Sequence, residues 1–171
     1  MRRLLAAVAS LMFFPASAVG QCTITNTGSF SQSRPLSITI NRAVEMTLSA
    51  TTITLTSPAA SDYTTGYAVN AGPAITVKAN GAWRLNIRAN AATWTGTGPL
   101  ARTSKPASDL LVGTALGGPF TALSVPGFQF AAGSAATAGT VVTLFAKTLW
   151  VWTADPPGTY SLGLTFTIVA P

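Results

Sequence analysis

Hydrophobic and polar positions alternate along most of this chain in short runs. Residues 82–89, AWRLNIRA, show the pattern most cleanly. Trp83, Leu85 and Ile87 fall on one side, and Arg84, Asn86 and Arg88 fall on the other. A period of two is that of an extended strand with one buried face and one wet face. Residues 36–40, LSITI, group Leu36, Ile38 and Ile40 in the same way, and TITLT at 52–56 groups Ile53 with Leu55. Further strands are predicted at 22–26, 45–50, 67–71, 74–79, 110–114, 121–124, 128–130, 140–153 and 159–170. In the last of these Tyr160, Leu162, Leu164, Phe166 and Ile168 share a face. Burying each such side chain is worth about 1.5–3 kcal/mol, so the terminal strand is expected at the centre of the core.

Breaks of Gly, Pro, Asn and Ser separate the runs, among them NAGP at 70–73, TGTGP at 95–99 and DPPG at 155–158. In DPPG the two prolines fix φ, Gly158 permits a positive φ, and Asp155 is expected to bond the backbone ahead of it. No stretch has a secure helical pattern. SDLLVGTAL at 108–116 begins like a helical turn, but Gly113 argues against extending it. Many short strands with turn signals at this spacing predict an all-β fold. The expectation is a single-domain antiparallel β-sandwich, Ig-like or jelly-roll-like, over residues 36–171, preceded by an N-terminal segment at 19–35.

The front of the chain, MRRLLAAVASLMFFPASA, changes the picture. Arg2 and Arg3 form a basic start, residues 4–14 an apolar stretch, and Ala16-Ser17-Ala18 a small-residue cleavage site. This is the pattern of a signal peptide removed near Ala18. The apolar stretch is shorter than the roughly 20 residues of a membrane span, so no transmembrane segment is expected after cleavage. The expected location is extracellular or the cell envelope. Of the ten basic residues, Arg2 and Arg3 leave with the leader, and eight remain against four acidic ones, a net charge of +4. The basic residues are scattered, and only Arg84 and Arg88 stand close together on one strand. Nucleic-acid binding needs clustering and is not expected. Weak attraction to anionic envelope polymers is consistent with this charge. Cys22 is the sole cysteine, so no internal disulfide can form. It reads as a small buried hydrophobe, with a bridge to a second chain as the alternative.

The chemistry of catalysis is poorly represented. Histidine is absent, which removes the commonest general base and metal ligand. Glu45, Asp62, Asp109 and Asp155 are the only acids, with no pair at short spacing, and they read as solvated or capping groups. No metal site, no catalytic residue and no cofactor is expected. Ser104 and Lys105 are adjacent and point to opposite sides of an extended segment. The Gly-rich stretches lack the Lys-Ser/Thr of a phosphate-binding loop. Aromatic residues carry the remaining signal. Trp94 stands beside the TGTGP loop, and Trp150 and Trp152, two apart, are expected to share a face. Exposed tryptophans stack on sugar rings, so Trp94, Trp150 and Trp152 are the candidate ligand-binding residues, set against core packing. Trp83 is expected in the core beside Leu85 and Ile87.

Two stretches resemble a known family. GAWRLNI at 81–87 holds the triplet Trp83-Arg84-Leu85, and the ending PGTYSLGLTFTIVAP at 157–171 is similar to the terminal strand of WxL-type cell-surface domains. That resemblance implies an exported β-sandwich held non-covalently at the cell envelope, with peptidoglycan binding known for some members. CTITNTGSF at 22–30 also resembles the opening strand of secreted fimbrial or spore-coat-type subunits. The expected function is therefore non-catalytic: a structural or adhesion-type surface protein. A polysaccharide-binding module, for peptidoglycan or another glycan, is the first alternative. A pilus-like assembling subunit is the second. Envelope polysaccharide, surface proteins and self-association are the partners these readings imply.

Overall fold

The computed structural model describes residues 36–171. The expected leader, the N-terminal segment at 19–35 with Cys22, and the predicted strand at 22–26 lie outside the described residues. Residues 40–171 form one compact unit, and it is nearly all β. The strands are β1 (Val44–Leu48), β2 (Tyr67–Ala79), β3 (Trp83–Ala89), β4 (Thr95–Thr97), β5 (Leu110–Gly113), β6 (Thr121–Ala122), β7 (Phe128–Gly133), β8 (Thr137–Leu149), β9 (Thr159–Ser161) and β10 (Leu164–Val169). A short α-helix, α1 (Ala60–Thr65), precedes β2.

All pairings are antiparallel. A five-stranded sheet runs β1-β2-β8-β5-β6, a three-stranded sheet runs β10-β3-β7, and β4 and β9 form a small ribbon. The two larger sheets enclose the core. Ile75, Val77 and Ala79 of β2 meet Trp83 and Leu85 of β3. Further along, Leu144 and Ala146 of β8 join Ile87, Ala89, Trp94, Leu110, Val112 and Leu123. The alternation read in 82–89 is realised: Trp83, Leu85, Ile87 and Ala89 are buried, and Arg84 and Arg88 are exposed.

The predicted strands at 67–71 and 74–79 are a single strand, β2, whose ladder to β8 is interrupted between Ala71 and Ala74. Gly72 and Pro73 are accommodated there as an irregularity. Pro73 has no N–H to give the ladder. A Cβ at Gly72 would lie 2.5 Å from the Leu144 side chain and 3.2 Å from its carbonyl oxygen, so a larger residue would force Leu144 of β8 to shift.

Three expectations are corrected. The terminal run is two strands, β9 and β10, split at Leu162 and Gly163, and β10 is an edge strand. Its apolar side chains do face the core, but they are half-buried, because β3 takes the centre of that sheet. Residues 36–40 form no strand, and Leu36, Ile38 and Ile40 are exposed. Residues 52–56 join no ladder either, although Ile53 and Leu55 pack inward as their alternation requires.

The helix was not expected. It is built from ASDYTT within a break, where the Asp62 carboxylate accepts a 2.8 Å bond from the backbone N–H of Ala59. Gly66, at φ 81°, ends it in the left-handed conformation that favours glycine. The helical turn considered at 108–116 is a 3-10 turn over Ala107–Asp109, and the chain then extends into β5.

Candidate functional site

The three candidate tryptophans do not come together on one surface. β8 ends at Leu149, so Trp150 and Trp152 lie in the turn beyond it and do not share a face as strand neighbours would. Trp94 is 5% exposed and Trp150 6% exposed. Both indole N–H groups are buried without a hydrogen-bond partner among the described residues. These two rings are core. Trp152 is 61% exposed and stacks on Tyr63 of α1, with centroids 4.6 Å apart and planes 26° off parallel. Its outer face is the one indole surface of the three candidates available to a ligand.

Beneath that pair lies a polar cluster absent from the sequence expectations. Lys105 is fully buried. Its Nζ donates to the Leu149 carbonyl at 2.7 Å, to Asp155 Oδ1 at 3.0 Å and to Asp109 Oδ2 at 3.2 Å. The same ammonium sits 4.5 Å from the centre of the Trp150 ring. Three acceptors satisfy all three N–H donors of an ammonium. Asp155 is equally buried. Its Oδ1 also accepts from Arg102 Nη1 at 3.3 Å, and its Oδ2 accepts from the backbone N–H of Val151 at 2.9 Å. Asp155 therefore bonds backward into the turn it closes, rather than forward along DPPG.

Tyrosines complete this corner. The Tyr160 hydroxyl donates to the Pro156 carbonyl at 2.7 Å and accepts from the Arg102 backbone N–H at 3.1 Å. The Tyr63 hydroxyl donates to the Asp155 carbonyl at 3.3 Å. Lys105 is thus the hub that ties the 102–109 segment to the turn after β8. Each of its three donors has a fixed partner. Two of the four acids are taken up in this lock.

Tyr63 resists ionisation. Partial burial, then the Asp155 charge, then Tyr160 raise its pKa above the ordinary 10.0. Above that pH the unfolded chain releases a proton that the fold retains, so stability falls as pH rises. Below it the tyrosine is neutral in both states and contributes no pH dependence. Tyr63→Phe is expected to flatten the alkaline decline in stability, measured as unfolding midpoints across the alkaline range. An unchanged decline would assign it to other groups.

The outer face of the three-stranded sheet is the other polar surface. A concavity of about 380 Å³ on it is bordered by Asn86, Arg88, Phe128, Gln129, Thr165 and Thr167. Among the described residues no group of three or more His, Cys, Asp or Glu side chains is placed to hold a metal. No described helix is long and apolar enough to cross a membrane.

No family model matches the chain. No curated protein matches it either. The arrangement of residues is therefore the basis for a functional reading.

Proposed function

We propose that the protein is an exported, non-catalytic structural subunit of the cell envelope that joins its neighbours by strand addition. The observation that carries this reading is the segment 36–40. Leu36, Ile38 and Ile40 alternate as a strand should, yet they are 96%, 82% and 77% exposed and pair with no described strand.

A complementary edge exists on the same fold. Among the described residues β10 forms a ladder only with β3, and its other edge has no ladder partner. Leu164, Phe166 and Ile168 on that strand are half-buried, as are Val44, Met46 and Leu48 of β1. Both edges belong to the side where the two sheets end. A strand with apolar residues at every second position, laid along β10 of a second copy, would cover those side chains and satisfy the edge. Leu36, Ile38 and Ile40 have the same two-residue spacing as Leu164, Phe166 and Ile168. The signal-peptide pattern supports export, and the commitment of Lys105, Asp109 and Asp155 to fixed contacts supports a non-catalytic role.

The test is association of the mature chain, residues 19–171, measured by light scattering over a range of concentrations. The native chain is expected to associate. Ile38→Asp puts a charge into an apolar strand and is expected to weaken association by about a hundredfold or more. A native chain that stays monomeric throughout would refute the proposal.

A further inference from the structure

The outward face of β3 carries two cations without a counterion. Arg84 and Arg88 are both exposed. All four acidic side chains of the protein are described. Glu45 pairs with Lys78, Asp109 with Lys105, and Asp155 with Lys105 and Arg102, while Asp62 caps α1. None of them reaches Arg84 or Arg88.

Neutral hydrogen-bonding groups surround these cations in register. Arg88 stands opposite Thr165, and Asn86 stands opposite Thr167 on one side and Gln129 on the other. Asn86 is only half-buried, and Gln129 and Thr167 are exposed. The surface is concave. Pro126 and Gly127 border it beside Arg88, while Phe128, opposite Ile87, turns its ring into the core. Gly127 makes that close approach with φ at 76°. A Cβ there would lie 2.5 Å from the Ile87 carbonyl oxygen and 2.6 Å from Cβ of Arg88.

We propose that this face of the β10-β3-β7 sheet binds a carboxylate-bearing acidic polysaccharide. The charge pattern selects that class. Four residues of strand separate the two guanidinium attachment points by about 13 Å, with amides and hydroxyls between them. A polymer of sugar rings offers such widely spaced anions with hydroxyls in the gaps. Each strand of a nucleic-acid duplex carries a phosphate about every 3.4 Å of axis and needs a denser set of cations, and a single strand needs a row of aromatic rings for its bases to stack on, which this face lacks. A planar guanidinium takes a carboxylate through two parallel N–H bonds. Asn86, Gln129 and Thr167 supply the donors and acceptors that hydroxyl groups require, while the Thr165 hydroxyl already donates to Asn90 Oδ1 at 2.6 Å and is left as an acceptor. The site takes in Thr165 and Thr167 of β10 but lies on the outward face of the sheet and not along its free edge, and polymer binding is measured without reference to strand addition.

The experiment is calorimetric titration of the mature chain with polygalacturonate, with dextran as the neutral polymer and polyphosphate as the charge-only polymer. Binding of polygalacturonate with little or none of the other two is expected. Arg88→Gln is expected to weaken it about tenfold, the loss of one charge-assisted contact, and Asn86→Ala by a smaller factor. Both positions face solvent, so their unfolding midpoints are expected to stay at the native value. Arg42→Gln removes an exposed cation elsewhere and is expected to leave affinity unchanged. Three outcomes would each overturn the site: absence of polygalacturonate binding, equal binding of polyphosphate, or an equal loss in Arg42→Gln.

Discussion

Lys105→Met is expected to cost the fold about 3–5 kcal/mol, the range for breaking a buried ion pair from one side. The native ammonium is fully buried and neutralises Asp155 at 3.0 Å and Asp109 at 3.2 Å. Methionine fills a similar volume, so the loss reports the charge and its hydrogen bonds rather than a cavity. Asp155 would keep only Arg102, whose side chain is partly exposed, and the Val151 N–H. The Leu149 carbonyl would lose its 2.7 Å donor. Denaturant unfolding measures this directly. The exposed pair Lys78–Glu45 provides the comparison: Glu45→Ala is expected to change stability by less than about 1 kcal/mol. A Lys105→Met protein within 1 kcal/mol of the native value, on the order of an ordinary surface change, would show that the lock does not stabilise the fold.

Removal of residues 164–171 has the second large expected effect. β10 pairs with β3 from Leu164 opposite Ala89 to Val169 opposite Arg84. Its loss strips the ladder from one side of the central strand and uncovers Leu85 and Ile87, which are at most 1% exposed in the intact fold. Leu164, Phe166 and Ile168 leave with it. Three half-buried apolar side chains and a ladder together amount to several kcal/mol, and a domain of this size has only about 5–15 kcal/mol to lose. The shortened chain is expected to show no cooperative thermal transition. A sharp transition near the native midpoint would mean that β10 is dispensable, despite the apolar face it presents.

The places where the sequence was readable share a physical feature. In β3 the period-two pattern is strong, both faces have clear chemistry, and Trp83, Leu85 and Ile87 are all core. The clustering of short strands likewise pointed to the all-β fold that is observed. Residues 36–40 carry an equally good alternation and pair with nothing described, because periodicity reports what a segment can bury and not which partner buries it. β2 looked like two strands because Gly72 and Pro73 are turn residues by composition, and only the close approach of Leu144 shows why a glycine stands inside a continuous strand.

The polar lock was hidden for a different reason. Lys105 lies in TSKPASD, which has no period to mark it as buried, and two of its three acceptors are 44 and 50 residues away in sequence. Asp109, four residues on, was the only local clue. The tryptophans were ambiguous because a large ring serves a core and a ligand equally well. Trp150 and Trp152 parted company only because the strand ends between Leu149 and the turn that Asp155 closes.

The central claim is that segment 36–40 becomes a strand in a neighbouring copy. Amide hydrogen exchange of the mature chain, followed at low and high protein concentration, tests it most directly. Protection of the backbone amides of residues 36–40, and of the β10 amides that face away from β3, should appear together and grow with concentration. Rapid exchange of residues 36–40 at every concentration would contradict the claim and leave their apolar alternation without a partner strand.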